Sequence, residues 1–177
     1  MKDIFFVYDQ CCLHELMVLR YFMRCAGCGA LLLSADGAAV ISAEGIRVTP
    51  DGALGDVAER DIRCMVVPGG FTAAFAHRAA TPEVLALLRR LRRQGAVMAG
   101  ICAGVDVLEM AGALEGVAST HSQPEDLVVD RQVITARANA YVDFAIAVAK
   151  VLSLFADEQD LAETMAFWKG TPSVLPE

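Results

Sequence analysis

The 177-residue chain is long enough for one domain with a full core, and its net charge of -7 and pI near 4.9 exclude nucleic acid as the natural partner. It is 55% hydrophobic at a mean hydropathy of +0.45, yet no run approaches the roughly 18 apolar residues that a membrane-spanning helix needs. A parallel sheet covered on both faces accounts for the surplus, because its buried strands read as near-continuous apolar runs, and a partner subunit would cover some of the remainder.

The amino terminus, Met1-Lys2-Asp3-Ile4, lacks a signal-peptide layout, since the apolar run at 4–8 is too short. That run predicts a buried strand. A helix over 13–24 comes next, with Leu13, Leu16 and Met17 on its apolar face and Gly27 ending it. Residues 30–33 predict a second strand, and 40–41 with 46–48 a short hairpin on the sheet's edge. Residues 61–67 predict a core strand running into Pro68-Gly69-Gly70. The helix over 82–94 is the best punctuated, with Thr81 as N-cap, Pro82 in the first position and Glu83 near the positive end. Val84, Leu87, Leu88 and Leu91 form its stripe, and Gly95 terminates it. Its last turns hold Arg89-Arg90-Leu91-Arg92-Arg93, read as complementing the macrodipole rather than as an anion site. A strand at 96–99 leads into a helix ending near Ala111. Short strands at 117–119, 127–129 and 133–135, then helices over 141–155 and 158–168, close a single domain over 1–177. The alternation of strands and helices predicts an α/β layer fold with a mostly parallel sheet.

Six cysteines without a secretory signal imply free thiols in a reducing cytoplasm. Cys25-Ala26-Gly27-Cys28 with Cys11 and Cys12 leaves a four-thiolate metal site as a weak alternative to small buried thiols, so no metal is expected. His14 and His77 have no supporting pattern and are read as surface or core residues.

The segment Val97-Met98-Ala99-Gly100-Ile101-Cys102-Ala103-Gly104 carries the chemistry. A strand of small and apolar residues enters a cysteine and then a helix, which is the layout of a nucleophile elbow. The turn exposes the side chain at a helix N-terminus, predicting a depressed Cys102 pKa, and aims the Ala103 amide at a developing oxyanion. The Gly pair after 61–67 frees backbone amides at another strand's carboxyl end, where sites gather in such sheets, so Gly70 and Ala103 together predict an oxyanion hole.

Four ordered motifs resemble the ThiJ/PfpI superfamily. They are Asp61 through Pro68-Gly69-Gly70, the Ala99–Gly104 elbow, Gly112-Ala113-Leu114-Glu115-Gly116 through Thr120-His121, and Val133-Ile134-Thr135-Ala136-Arg137 with the later Asp143-Phe144-Ala145. The resemblance implies a flavodoxin-like three-layer sandwich and commonly a homodimer. It also assigns Cys102 as the nucleophile, Glu15 as a carboxyl group contacting its sulfur, and His121 as a histidine near the pocket. Otherwise Glu15 reads as an acid that the helix dipole favours. The peptidase branch has histidine directly after the cysteine, where this chain has Ala103. Glutamine amidotransferases use a later His-x-Glu pair, and no histidine comes after His121. Cys102-Ala103-Gly104 instead resembles the deglycase and glyoxalase branch, implying cofactor-free chemistry on methylglyoxal or its adducts. The alternative is a redox sensor, with Cys102 oxidised reversibly.

Overall fold

Strand β1 (Lys2–Phe6) lies inside the main sheet, and its Ile4, Phe5 and Phe6 are fully buried. Burial on both faces is what a parallel strand between helical layers requires. The computed structural model describes residues 1–71 and 79–170, so His77 lies outside the described residues. In chain order the strands are β1, β2 (Ala30–Ser34), β3 (Val40–Ile41), β4 (Arg47–Val48), β5 (Gly52–Ala53), β6 (Ile62–Val67), β7 (Val97–Ile101), β8 (Leu127–Asp130) and β9 (Val133–Ala136). The helices are α1 (His14–Cys25), α2 (Pro82–Arg93), α3 (Gly104–Met110), α4 (Tyr141–Val151) and α5 (Glu158–Lys169).

Among the described residues seven strands form one sheet in the order β5-β2-β1-β6-β7-β9-β8, parallel except for the antiparallel β8–β9 pair. The order runs outward from β1 and β6 in both directions. Right-handed crossovers therefore place α1 on one face and α2 and α3 on the other. Helix α4 packs against α1, and α3 against α2, completing a flavodoxin-like three-layer sandwich. No helix among the described residues is long and apolar enough to cross a membrane.

Local chemistry explains α2. The Thr81 hydroxyl accepts from the Val84 N–H at 3.4 Å, and Val84, Leu87, Leu88 and Leu91 are buried. Its arginines are engaged: Arg90 forks onto Glu59, while Arg89 and Arg92 donate to the Ala111 and Ala113 carbonyls.

Three expectations require correction. The 40–41 and 46–48 hairpin forms its own two-stranded sheet over the loop after β1, where Gln10 N–H donates to Ile41 O. The main sheet's edge is instead the two-residue β5. Residues 117–119 form no strand, because the Ala118 amide is taken by the Asp130 carboxylate at 2.8 Å. The helix expected to reach 155 stops at Val151, with Ser153 in the left-handed region at φ 55°.

Candidate functional site at the β7–α3 elbow

Cys102 stands between β7 and α3 with φ 55°, a left-handed conformation that costs a non-glycine residue roughly 1–2 kcal/mol. Its N–H donates to Ala136 O of β9 at 2.9 Å, which ties the elbow to the neighbouring strand. Gly104, the first residue of α3, lets the turn close. A Cβ there would collide with the Val67 carbonyl oxygen and come within 2.8 Å of Pro68 O. The end of β6 therefore passes directly over the start of α3.

Glu15, in the first turn of α1, is only 1% exposed. Its Oε2 accepts from the Gly69 N–H at 2.6 Å, and the Cys102 sulfur lies beside the same carboxylate. The packing at that point leaves no room for a side chain: a Cβ on Gly69 would lie 2.6 Å from Cys102 Cβ, 2.8 Å from its Sγ and 3.0 Å from Glu15 Oε2. Three distant segments thus meet at one sulfur. Burial raises the Glu15 pKa, outweighing the Gly69 amide, the His14 charge and the Cys102 hydrogen bond, all of which lower it.

The expected depression of the Cys102 pKa is corrected. Burial pushes the thiol up, and so does the Glu15 carboxylate, both through its charge and by accepting the thiol's hydrogen bond. The Ala103 amide opposes them. Asp106, in the first turn of α3, adds negative charge that also raises Cys102. The two groups compete for a proton. A thiolate forms here when Glu15 keeps or accepts one, because two adjacent negative charges repel.

Of the remaining expected residues, Ala103 presents its amide to the sulfur. Gly70 lies one residue beyond the closest approach, and a Cβ on it would be 2.6 Å from the Gln10 carbonyl oxygen and 2.9 Å from the Tyr8 hydroxyl. The Nε2 of His121 pairs with Asp106 at 3.2 Å and its Nδ1 with Glu109 at 3.1 Å, so both ring nitrogens face carboxylates of α3.

Sequence reasoning missed Gly69, whose closeness depends on the crossing of β6 over the elbow. It also missed Cys12 and Tyr8. Tyr8 donates to Pro68 O at 3.0 Å, and its pKa is raised by burial and by Cys11, Cys12, Glu15 and Cys102 around it. The signal for Cys12 was its position three residues before Glu15.

The four-thiolate alternative fails on distance. Cys11 and Cys12 precede α1 and Cys28 lies beyond its end, so the 12-residue helix, about 18 Å long, separates the pairs. Among the described residues no group of three or more His, Cys, Asp or Glu side chains is placed to hold a metal ion. A cavity of about 890 Å³ opens between the 54–59 segment and α2, lined by Tyr8, Ser34, Leu54 and Val84 among others, without Cys102 or Glu15. Size alone does not make it the site. The left-handed thiol beside a buried carboxylate is the arrangement suited to nucleophilic chemistry.

Comparison with known proteins gives the family and the fold. Residues 1–151 match the DJ-1/PfpI family profile. A DJ-1 superfamily protein from Agrobacterium tumefaciens superposes with a TM-score of 0.82 at 27% identity, covering 94% of this chain and 97% of that one. Drosophila melanogaster DJ-1beta superposes at 0.76 with 22% identity, covering 94% and 96%. A ThiJ/PfpI family protein from Bacillus anthracis reaches 0.83 at 18% identity, covering 97% and 92%; these last two likenesses concern the fold. The HTH-type transcriptional regulator CdhR of Pseudomonas aeruginosa is 39% identical over 89 residues, which are 50% of this chain but only 25% of that protein.

Proposed function

From the premise that this chain belongs to the DJ-1/PfpI family, we propose a cofactor-free, Cys102-dependent enzyme of glyoxalase or deglycase type, acting on small reactive aldehydes or their adducts. One observation carries the reading: the left-handed Cys102 thiol lies beside a nearly inaccessible Glu15 carboxylate, itself held by the Gly69 amide. Such a pair is a nucleophile with its base already in contact.

In the proposed reaction Glu15 takes the Cys102 proton as the sulfur attacks the aldehyde carbon. The carbonyl electron pair moves onto oxygen, where the Ala103 and Gly70 amides stabilise it. The Glu15 carboxyl then protonates that oxygen to give a hemithioacetal. With methylglyoxal, Glu15 next carries the proton from the former aldehyde carbon to its neighbour, while the hydroxyl proton on that first carbon passes to the neighbouring oxygen, leaving a lactoyl thioester. Water hydrolyses the thioester to lactate and frees the thiol. His121, expected to share this proton work, pairs with Asp106 and Glu109, and this reading gives the transfers to Glu15.

The test is consumption of methylglyoxal without glutathione. Wild type should turn over, and Cys102→Ser should be inactive. Turnover that survives Cys102→Ser would defeat the reading. The likeness to a transcriptional regulator favours a second one, in which the same site senses an oxidant or small molecule without turnover. Cys102 modification with no aldehyde consumption would select it.

A further inference from the structure

The segment at Gln10 to Cys12 runs antiparallel to the segment at Gly69 to Phe71. Cys12 N–H donates to Gly69 O at 2.8 Å, Phe71 N–H donates to Gln10 O at 3.3 Å, and Cys11 stands opposite Gly70. Cys12 therefore stands opposite Gly69. Residues directly opposite in such a pair present their side chains on one face, with Cβ atoms about 4.5–5.5 Å apart. The face of Gly69 is defined, since a Cβ there would lie 2.8 Å from Cys102 Sγ and 3.0 Å from Glu15 Oε2. Cys12 projects toward that same sulfur. Cys11, by alternation, projects the other way, toward the side where Gly70 meets Tyr8.

Cys12 lies two residues before α1, in whose first turn Glu15 stands beside Cys102. Both Cys12 and Cys102 are half-buried, whereas Cys11 and Cys64 are buried. Burial, the Glu15 charge and the Cys102 charge together push the Cys12 thiol up to about 12. Cys12 is thus a protonated reserve beside the reactive sulfur.

We propose that Cys12 is the resolving thiol of Cys102, so that oxidation of the site ends in an intramolecular Cys12–Cys102 disulfide. The oxidant is hydrogen peroxide. The Cys102 sulfur attacks one peroxide oxygen and loses two electrons, the O–O bond breaks, and Cys102 becomes a sulfenic acid while the other oxygen leaves as water. The Cys12 sulfur then attacks the Cys102 sulfur. The S–S bond forms, the S–O bond breaks, and the Cys12 proton leaves with the hydroxyl as a second water. The disulfide would intercept Cys102 before the irreversible sulfinic acid and would be reopened by an external thiol. The inference concerns the sulfur of the proposed aldehyde chemistry but does not require that chemistry.

The experiment treats the full chain with limiting peroxide and maps its peptides without reduction. Wild type should lose about 2 Da and yield a linked Cys12–Cys102 peptide. Cys12→Ser and Cys12→Ala, matched to wild type by thermal unfolding, should instead gain about 16 and then about 32 Da on Cys102. Cys102→Ser should form no disulfide at Cys12. Wild type that accumulates the sulfinic acid as fast as Cys12→Ser, that links Cys102 to any other thiol, or that leaves Cys102 unoxidised overturns the proposal. Methylglyoxal consumption, measured separately on reduced protein, distinguishes this failure from that of the aldehyde reading.

Discussion

At Cys102 and Glu15, two acids share a space that holds one negative charge comfortably. Glu15→Gln removes the carboxylate that raises Cys102, so the Cys102 pKa should fall in that variant. Below the wild-type value, alkylation by a small reagent should therefore be faster in Glu15→Gln, with the difference closing as pH rises. Aldehyde turnover should fall about a hundredfold, the scale of general acid–base assistance. A slower alkylation in Glu15→Gln would remove the electrostatic account. Backbone strain gives a second prediction. Cys102→Gly relieves the left-handed conformation that Cys102→Ala retains, and denaturant unfolding should find the Gly variant more stable by about 1 kcal/mol. Equal stability would mean that the elbow relaxes when the thiol is gone. Gly69→Ala places a methyl group 2.6 Å from Cys102 Cβ, and it should cost about 1–3 kcal/mol while slowing alkylation.

Among the elements, α1 decides where Glu15 stands, and its own start is held from outside. The Glu44 carboxylate, in the turn between β3 and β4, accepts from Leu13 N–H at 3.2 Å, His14 N–H at 3.0 Å and the His14 ring at 2.9 Å. Leu13 caps the helix without a side-chain hydrogen bond, so the detached hairpin performs the capping. Burial opposes ionisation of Glu44, but hydrogen bonds from His14 and Ser42 outweigh it and lower the pKa to about 2. A depressed acid stabilises the fold above its unfolded pKa and loses that contribution as pH falls through the folded value. Glu44→Ala should cost about 1 kcal/mol near neutral pH. Its thermal deficit should shrink between the ordinary value of 4.5 and about 2. A deficit that persists undiminished at pH 2 would show that packing, not the charge, holds the turn.

For the whole molecule, exposed apolar side chains set the expectation of self-association. Met17 and Tyr21 lie one turn apart on α1, and Phe167 lies on α5, all exposed. With the family membership they motivate a homodimer, which sedimentation at micromolar concentration should show. A clean 18.9 kDa species would defeat that expectation.

The layered fold, the strand cores and the elbow were legible in the sequence because short-range rules produce them. Continuous apolar runs at 4–6, 64–67 and 97–101 mark strands buried on both faces, and small residues around Cys102 mark the sharp turn. Thr81, Pro82 and Gly95 likewise bound α2 through contacts within a few residues. Tertiary structure alone decided which glycine meets the sulfur, that Cys12 stands opposite that glycine, that His121 pairs with Asp106 and Glu109, and that Cys102 is raised rather than lowered. The reason is physical. Periodicity and turn sterics act over a few residues, whereas the field at Cys102 sums the burial, charges and dipoles of α1, the end of β6 and α3, groups separated by tens of residues until the chain crosses itself at Gly69.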